Sequence, residues 1–257
     1  MTPKGRLFLV PTPLDLGGDH PVPLDHALPQ ETQRQAAQLT HWICENAKSA
    51  RSFLKRLDAC IPLALPIQSQ QLIELPRQAH KQGDHLHDPD VANCLDAALQ
   101  GHDVGLLSEA GMPAVADPGS SVVRAAHRLG IQVIPLVGPS SPLLALAASG
   151  MNGQSFSFWG YLPIEASART ESIQRMELAS RQTGQAQLFI EVPHRNASLF
   201  QALIQTLKPE THLCLAINLT QESESVQSHP ISHWRQHPAS LDKTQVILFV
   251  MGQWPKS

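Results

Sequence analysis

Residues 103–137 constrain the fold of this chain more than any other stretch. Asp103–Leu107 (DVGLL) and Ile131–Val137 (IQVIPLV) are short apolar runs, and Val122, Ala126 and Leu129 fall between them at helical spacing. Asp117-Pro118 reads as a helix N-cap with proline at the first helical position, and Gly130 as the helix stop. Strand, helix and strand within about 35 residues make a βαβ unit. Its two strands are parallel and its crossover right-handed.

The same alternation continues on both sides. Arg6–Pro11 (RLFLVP) and His41–Glu45 (HWICE) read as strands, Ile61–Leu65 as a weaker one. The segment NAKSARSFLKRLD is helical, with Ala50, Phe53, Leu54 and Leu57 on one face and Lys48, Arg51 and Lys55 on another. Residues 71–82 and Val91–Leu99 read as helices, and the proline-rich stretch VPTPLDLGGDHPVPLDHALP as an extended, ordered connection. After Gly138-Pro-Ser-Ser-Pro142, a helix over Leu143–Ser149 stops at Gly150. Strands follow at Phe156–Tyr161, Gln187–Val192, His212–Ile217 and Gln245–Met251, with helices near 168–182 and 196–207. The expectation is an α/β protein of two α/β domains, 1–152 and 153–257, divided at MNGQS. A length of 257 residues suits two domains of about 100–150 each.

Composition excludes several classes. Hydrophobic residues make up 42%, enough for a real core. No apolar run approaches the ~18 residues of a membrane span, and Met1-Thr-Pro-Lys opens no signal peptide, so a soluble, cytoplasmic protein with no membrane partner is expected. Cys44, Cys60, Cys94 and Cys214 stand far apart without a CxxC pair, as reduced thiols do. The net charge of −3 carries no global nucleic-acid footprint, though it permits a local basic patch. The tightest histidine group, His85-Leu-His87-Asp88, reads as a solvated loop, and no metal site is expected. No GxGxxG follows a strand, and neither a Walker lysine loop nor a GxSxG elbow is present.

Ligands of open α/β sheets sit beyond the carboxyl ends of the strands. That rule selects Pro11-Thr12-Pro13, Glu45-Asn46, Ser108–Pro113 and Gly138–Ser141 on one rim, and Glu191-Val-Pro-His194-Arg195 at a strand end of the second half. Singly, each has a plain structural reading: Gly111 supplies a positive φ, Glu109 is a solvated carboxylate, Gly138 ends a strand. Together they favour a site. The residues by themselves lead as far as a crevice for a small, partly polar ligand.

At LLSEAGMPAVADPG the chain resembles the tetrapyrrole methylase superfamily, and within it the ribosomal RNA small subunit methyltransferase I group. The signature S-D-A-G-T-P-x-x-x-D-P-G is matched by Ser108, Ala110, Gly111, Pro113, Asp117, Pro118 and Gly119, while Glu109 and Met112 replace Asp and Thr. GRLFLVPTPL, GIQVIPLVGPSSPLLALAASG, FWGYLP, EVPHR and LTQESES are similar to further segments of that group, in order along almost the whole chain. Elsewhere the chain departs from it. Cys44-Glu45-Asn46-Ala47-Lys48 stands for Ala-Glu-Asp-Thr-Arg, Ala216-Ile217-Asn218-Leu219-Thr220 for Ala-Arg-Glu-Leu-Thr, and Lys243-Thr244-Gln245 for Lys-Gly-Glu.

The resemblance implies S-adenosylmethionine (SAM) as cofactor, two α/β domains with the SAM-binding cleft between them, and a homodimer. It implies a cofactor site drawn from Pro11, Ser108, Glu109, Ala110, Gly111, Pro113, Ala116, Gly138, Pro139, Ser140 and Ser141. The acceptor it implies is a ribose 2′-hydroxyl of small-subunit ribosomal RNA. Glu45 or Glu191 is then the general base, and Lys48, Arg51, Lys55, His194 and Arg195 face the substrate. Two other readings stay open at this point: a tetrapyrrole or other small molecule as acceptor, and a SAM-binding protein without catalysis.

Overall fold

The computed structural model describes residues 3–15, 21–76 and 91–254. The expected group His85, His87 and Asp88, and residues 77–82 of an expected helix, lie outside the described residues. The chain forms two compact units, Met1–Ser140 and Ser141–Ser257, each built on a five-stranded sheet.

In the first unit the strands are β1 (Leu7–Val10), β2 (His41–Cys44), β3 (Gln71–Glu74), β4 (Val104–Leu107) and β5 (Val133–Pro135), in the order β3-β2-β4-β1-β5, all parallel. Side chains alternate between faces because the strand period is two. Phe8, Val10, Trp42 and Cys44 pack with the helices α1 (Leu24–Ala27), α2 (Gln30–Gln38) and α3 (Ala47–Cys60), whereas Leu7, Ile43, Val104 and Leu106 pack with α4 (Asp96–Leu99) and α5 (Ser120–Arg128). The chain thus leaves β1 and β2 toward one face and leaves β4, which lies between them, toward the other. Such a reversal opens crevices at the carboxyl edge on both sides of β4.

Local chemistry explains the main elements. Asn46 caps α3 by accepting the Lys48 N–H at 2.8 Å, and the stripe Ala50, Phe53, Leu54 and Leu57 is buried. Full burial of each larger apolar side chain contributes about 1.5–3 kcal/mol. Gly105 lies opposite Trp42 in the ladder, and a Cβ there would come within 2.6 Å of the indole ring. The indole N–H donates to Gln70 Oε1 at 2.9 Å.

The strand expected at Ile61–Leu65 is not formed. Pro62 lies within it and Pro66 directly follows it, and proline cannot donate to a central ladder. The edge position is taken by Gln71–Glu74, where a helix was expected. The extended reading of the opening stretch fails at α1 (Leu24–Ala27). Helix α5 begins at Ser120 with Gly119 (φ +135°) as its N-cap, not at Asp117-Pro118, because the Asp117 carboxyl is turned toward Ser108 instead.

The second unit opens with α6 (Ser141–Ser149). Its strands are β6 (Phe156–Tyr161), β7 (Ala186–Ile190), β8 (His212–Ile217), β9 (Ser225–Pro230) and β10 (Ile247–Gly252), in the order β6-β7-β10-β8-β9. Among the described residues, β6 and β7 pair in parallel and the other pairs are antiparallel. Helices α7 (Ala166–Thr183), α8 (Asn196–Thr206) and α9 (Ile231–Gln236) cover one face through Ile173, Met176, Phe200, Leu203 and Trp234. Helix α6 packs on the central strands β10 and β8, so it belongs to this unit and not, as the division at MNGQS supposed, to the first. Among the described residues no helix is long and apolar enough to cross a membrane.

Candidate functional site

The loops after β4, β1 and β5 meet because these strands are neighbours. Thr12 and Gly111 exchange two backbone hydrogen bonds of 3.0 Å, and the Thr12 hydroxyl donates to the Ser108 carbonyl at 3.2 Å. Gly111 has φ +81°, and a Cβ on it would lie 2.9 Å from Leu14 and 3.3 Å from the Pro139 carbonyl. Across the rim, a Cβ on Gly138 would lie 2.2 Å from the ring of Pro11. Gly138 is therefore required by the Pro11 ring packed against it, and Gly111 by its positive φ and the nearby Pro139 carbonyl. The Ser140 Oγ is buried and has no hydrogen-bond partner among the described residues.

The stretch between Gly111 and Gly119 is strained. Ala114 and Ala116 hold φ of +62° and +63°, a region that disfavours residues bearing a Cβ. Ser108 closes β4, and its hydroxyl is hydrogen-bonded to Asp117. Desolvation, assisted by the field of Glu109, pushes the Asp117 carboxyl up to about 6, although bonds from Ser108 and from the backbone at Ala110 pull the other way.

On the other side of Glu109, toward α3, lies a cavity of about 330 Å³. Thr12, Asn46, Lys48, Ser49, Ser52 and Glu109 line it, with Asp15 and Arg56. Ser49 donates to Glu109 Oε1 at 2.5 Å, joining α3 to the loop after β4. Arg56 grips Asp15 with two bonds of 3.2 and 2.9 Å and also donates to the Val22 carbonyl at 2.6 Å. Cys44 lies under this rim: desolvation first, then Glu74 and Glu109, push its thiol up to about 12, so it is an inert apolar group.

The expected site residues fall into two groups. Pro11, Ser108, Glu109, Ala110, Gly111, Pro113, Ala116, Gly138, Pro139 and Ser140 belong to the first unit's carboxyl-edge loops, whereas Ser141 starts α6 in the second. Glu45 directly follows β2 and is half-buried, and its field reaches Cys44 together with those of Glu74, Glu109 and Arg51. Lys48, Arg51 and Lys55 are exposed on α3, and of the three only Lys48 lines the cavity. Arg51 turns back toward the Ala47 carbonyl at 3.4 Å.

In the second unit Glu191 is buried and already engaged. Arg195 donates to its Oε1 at 3.1 and 2.6 Å, and the Val192 N–H at 2.7 Å. His194, beside it, is exposed. The loop after β8 is strained in its turn: Asn218 has φ +49° and Thr220 φ +67°, and Glu224 accepts the Thr220 N–H at 2.5 Å.

Sequence reasoning missed Asp15, Arg56 and Ser49. Arg56 stands one position after Lys55 on α3, in the groove between the apolar and basic stripes, so helical phase alone was the available signal. Among the described residues no group of three or more His, Cys, Asp or Glu side chains is arranged to hold a metal ion.

A parallel five-stranded sheet with closely packed glycine turns at its carboxyl edge, followed by a mixed second sheet, defines a two-sheet α/β protein. The tetrapyrrole (corrin/porphyrin) methylase family model matches residues 41–233, and the chain belongs to that family. The ribosomal RNA small subunit methyltransferase I of Vibrio cholerae is 33% identical over 172 residues, covering 66% of this chain and 58% of that protein. That alignment therefore spans little more than half of the relative. The protein of the same name from Halalkalibacterium halodurans is 26% identical over 98% of this chain and 78% of its own length. Among solved structures, the methyltransferase CobJ shares the fold with a TM-score of 0.59, at 16% identity over 97% of this chain and 94% of its own. Uroporphyrin-III C-methyl transferase from Thermus thermophilus, complexed with S-adenosyl homocysteine, has a TM-score of 0.53 at 14% identity, over 96% of this chain and 97% of its own.

Proposed function

We propose that this protein is a SAM-dependent methyltransferase acting on a ribose 2′-hydroxyl of small-subunit ribosomal RNA, and that it works as a homodimer. The observation that carries the reading is the cradle of Ser108–Gly111 and Gly138–Ser140, with its buried, unpartnered Ser140 hydroxyl and two glycines where a Cβ would be crowded. Those features fit a compact, polar cofactor whose adenosine and amino-acid portions are held by main-chain groups. The family membership and the relatives named for ribosomal RNA methylation point the same way.

SAM, when bound, supplies a methyl group activated by a positively charged sulfur. The chain's own task is then chiefly to hold two reactants in line, and good orientation is worth about 7–11 kcal/mol. The cavity beside Glu109 takes the acceptor nucleotide, with Lys48 at the α3 N-terminus facing a phosphate. Glu45, next to it at the end of β2, receives the hydroxyl proton. Glu191, held by Arg195, positions the turn that carries His194.

The deciding experiment offers SAM labelled in its methyl group to small ribosomal subunits from cells lacking this protein. Nuclease digestion to nucleosides should place the label on a ribose oxygen. Transfer to a tetrapyrrole acceptor instead, or SAM binding without transfer to any subunit, would overturn the reading. Glu45→Gln should lower the rate at least 100-fold with SAM affinity unchanged, consistent with the ~10²–10⁴-fold contribution of general bases. Sedimentation of the pure protein reads the homodimer.

A further inference from the structure

The hydroxyl of Ser108 has two acceptors and one proton. Its Oγ lies 3.2 Å from the Ala110 carbonyl and is also hydrogen-bonded to Asp117 Oδ2. A serine hydroxyl can donate only once, though it can accept twice. With Asp117 ionised, Ser108 must choose, and either the carbonyl or the carboxylate faces an oxygen lone pair across a short gap. With Asp117 as the neutral acid, the chain closes: Asp117 O–H donates to Ser108 Oγ, and Ser108 O–H donates to Ala110. Every oxygen then has a partner.

The place of this chain of bonds gives it a consequence. Asp117 lies at the far end of the strained turn that holds Ala114 and Ala116 at positive φ, and Ser108 at the end of β4 is where that turn departs. One bond therefore fastens both ends of the segment that forms the cradle wall. Resting on the cofactor reading above, we infer that Asp117 is a positioning residue whose carboxylic-acid proton, donated to Ser108, clasps the 108–118 turn in the shape that accepts SAM. Poor solvation and the anionic Glu109 favour keeping the proton and outweigh the hydrogen bond from the Ala110 backbone, which favours the anion. Glu109 is itself tied to Ser49 of α3, so its charge has a fixed position.

The sign of the pH dependence follows. The clasp is closed below about pH 6 and opens as pH rises through that value. Calorimetric titration of the full-length protein with SAM from pH 5.5 to 8 should show Kd rising above pH 6, approaching roughly tenfold per unit for one linked proton. In buffers of different ionisation enthalpy, binding at pH 7.5 should take up close to one proton. Asp117→Asn, whose amide donates to Ser108 at every pH, should hold the low-pH affinity throughout. Glu109→Gln should move the onset to lower pH. A wild-type Kd that is flat from pH 5.5 to 8, or an Asp117→Asn profile with the wild-type slope, overturns the inference. Carbon-13 NMR of the Asp117 carboxyl in the free protein tests the proton without any cofactor: a midpoint near 6 supports the clasp, and one below 5 refutes it. Absence of SAM binding at every pH would end the cofactor reading alone.

Discussion

Replacing Gly111 by alanine separates strain in the cradle from strain anywhere else. Gly111 has φ +81°, where a Cβ costs about 1–2 kcal/mol. The new methyl would also lie 2.9 Å from Leu14 Cδ2, the yielding end of a side chain, and 3.3 Å from the Pro139 carbonyl, which is main chain. Relief by rotation would break one or both 3.0 Å bonds to Thr12, each worth about 1 kcal/mol. Either route lowers stability by about 1–2 kcal/mol and pushes the two cradle loops apart. Gly130→Ala is the matched control. Its φ is +64°, but its nearest neighbour is Lys4 Nζ at 3.6 Å, and it lies between α5 and β5 at the opposite edge of the sheet. Urea denaturation should show comparable losses for both variants. Calorimetric titration with SAM should show at least tenfold weaker binding for Gly111→Ala, equivalent to about 1.4 kcal/mol, and an unchanged Kd for Gly130→Ala. Wild-type affinity in Gly111→Ala, with the stability loss present, would refute the cradle.

Three further outcomes are expected. Arg56→Met removes the cation paired with Asp15, whose side chain is only 4% exposed and keeps the Val22 N–H as a donor, and should cost about 3 kcal/mol in urea, much of it recovered by adding Asp15→Asn. Of the four thiols, Cys60 alone is exposed, so a thiol reagent should label one site rapidly in the native protein and the other three only after denaturation. Asp103 is held below the ordinary carboxylate range first by its hydrogen bond from Arg6, so the stability it contributes is present at neutral pH and lost as pH falls through its depressed value. Asp103→Asn should therefore lose less stability than wild type between pH 7 and pH 3, measured by urea midpoint.

The βαβ unit was readable because its two apolar runs and helical stripe are long enough to show their periods, and β4, α5 and β5 all appear in the structure. Gly111 and Gly138 were readable as turn residues, and their neighbours justify them. What escaped was decided by partners distant in the chain. Gln71–Glu74 has no strand pattern of its own and becomes β3 only because β2 offers an edge. Asp117 looked like a helix cap because the Asp-Pro dipeptide is one elsewhere, yet Ser108 competes for the same carboxyl. The Asp15–Arg56 pair joins residues with 40 others between them, and no local rule links them. The one-residue slip between Lys55 and Arg56 shows how helical phase turns a surface cation into a wall of the cavity.

Trp42 and Gly105 have a bearing on how this sheet can change over generations. The indole occupies the room that any side chain at 105 would claim, so the two sites share a single allotment of volume. A larger residue at 105 becomes tolerable only after position 42 has shrunk, and a smaller residue at 42 leaves a void until 105 grows. Gln70 adds a third participant, since its amide oxygen loses its donor once the indole is gone. Drift at these three sites is therefore ordered in time, and the strand that carries Glu45 toward the rim inherits that order.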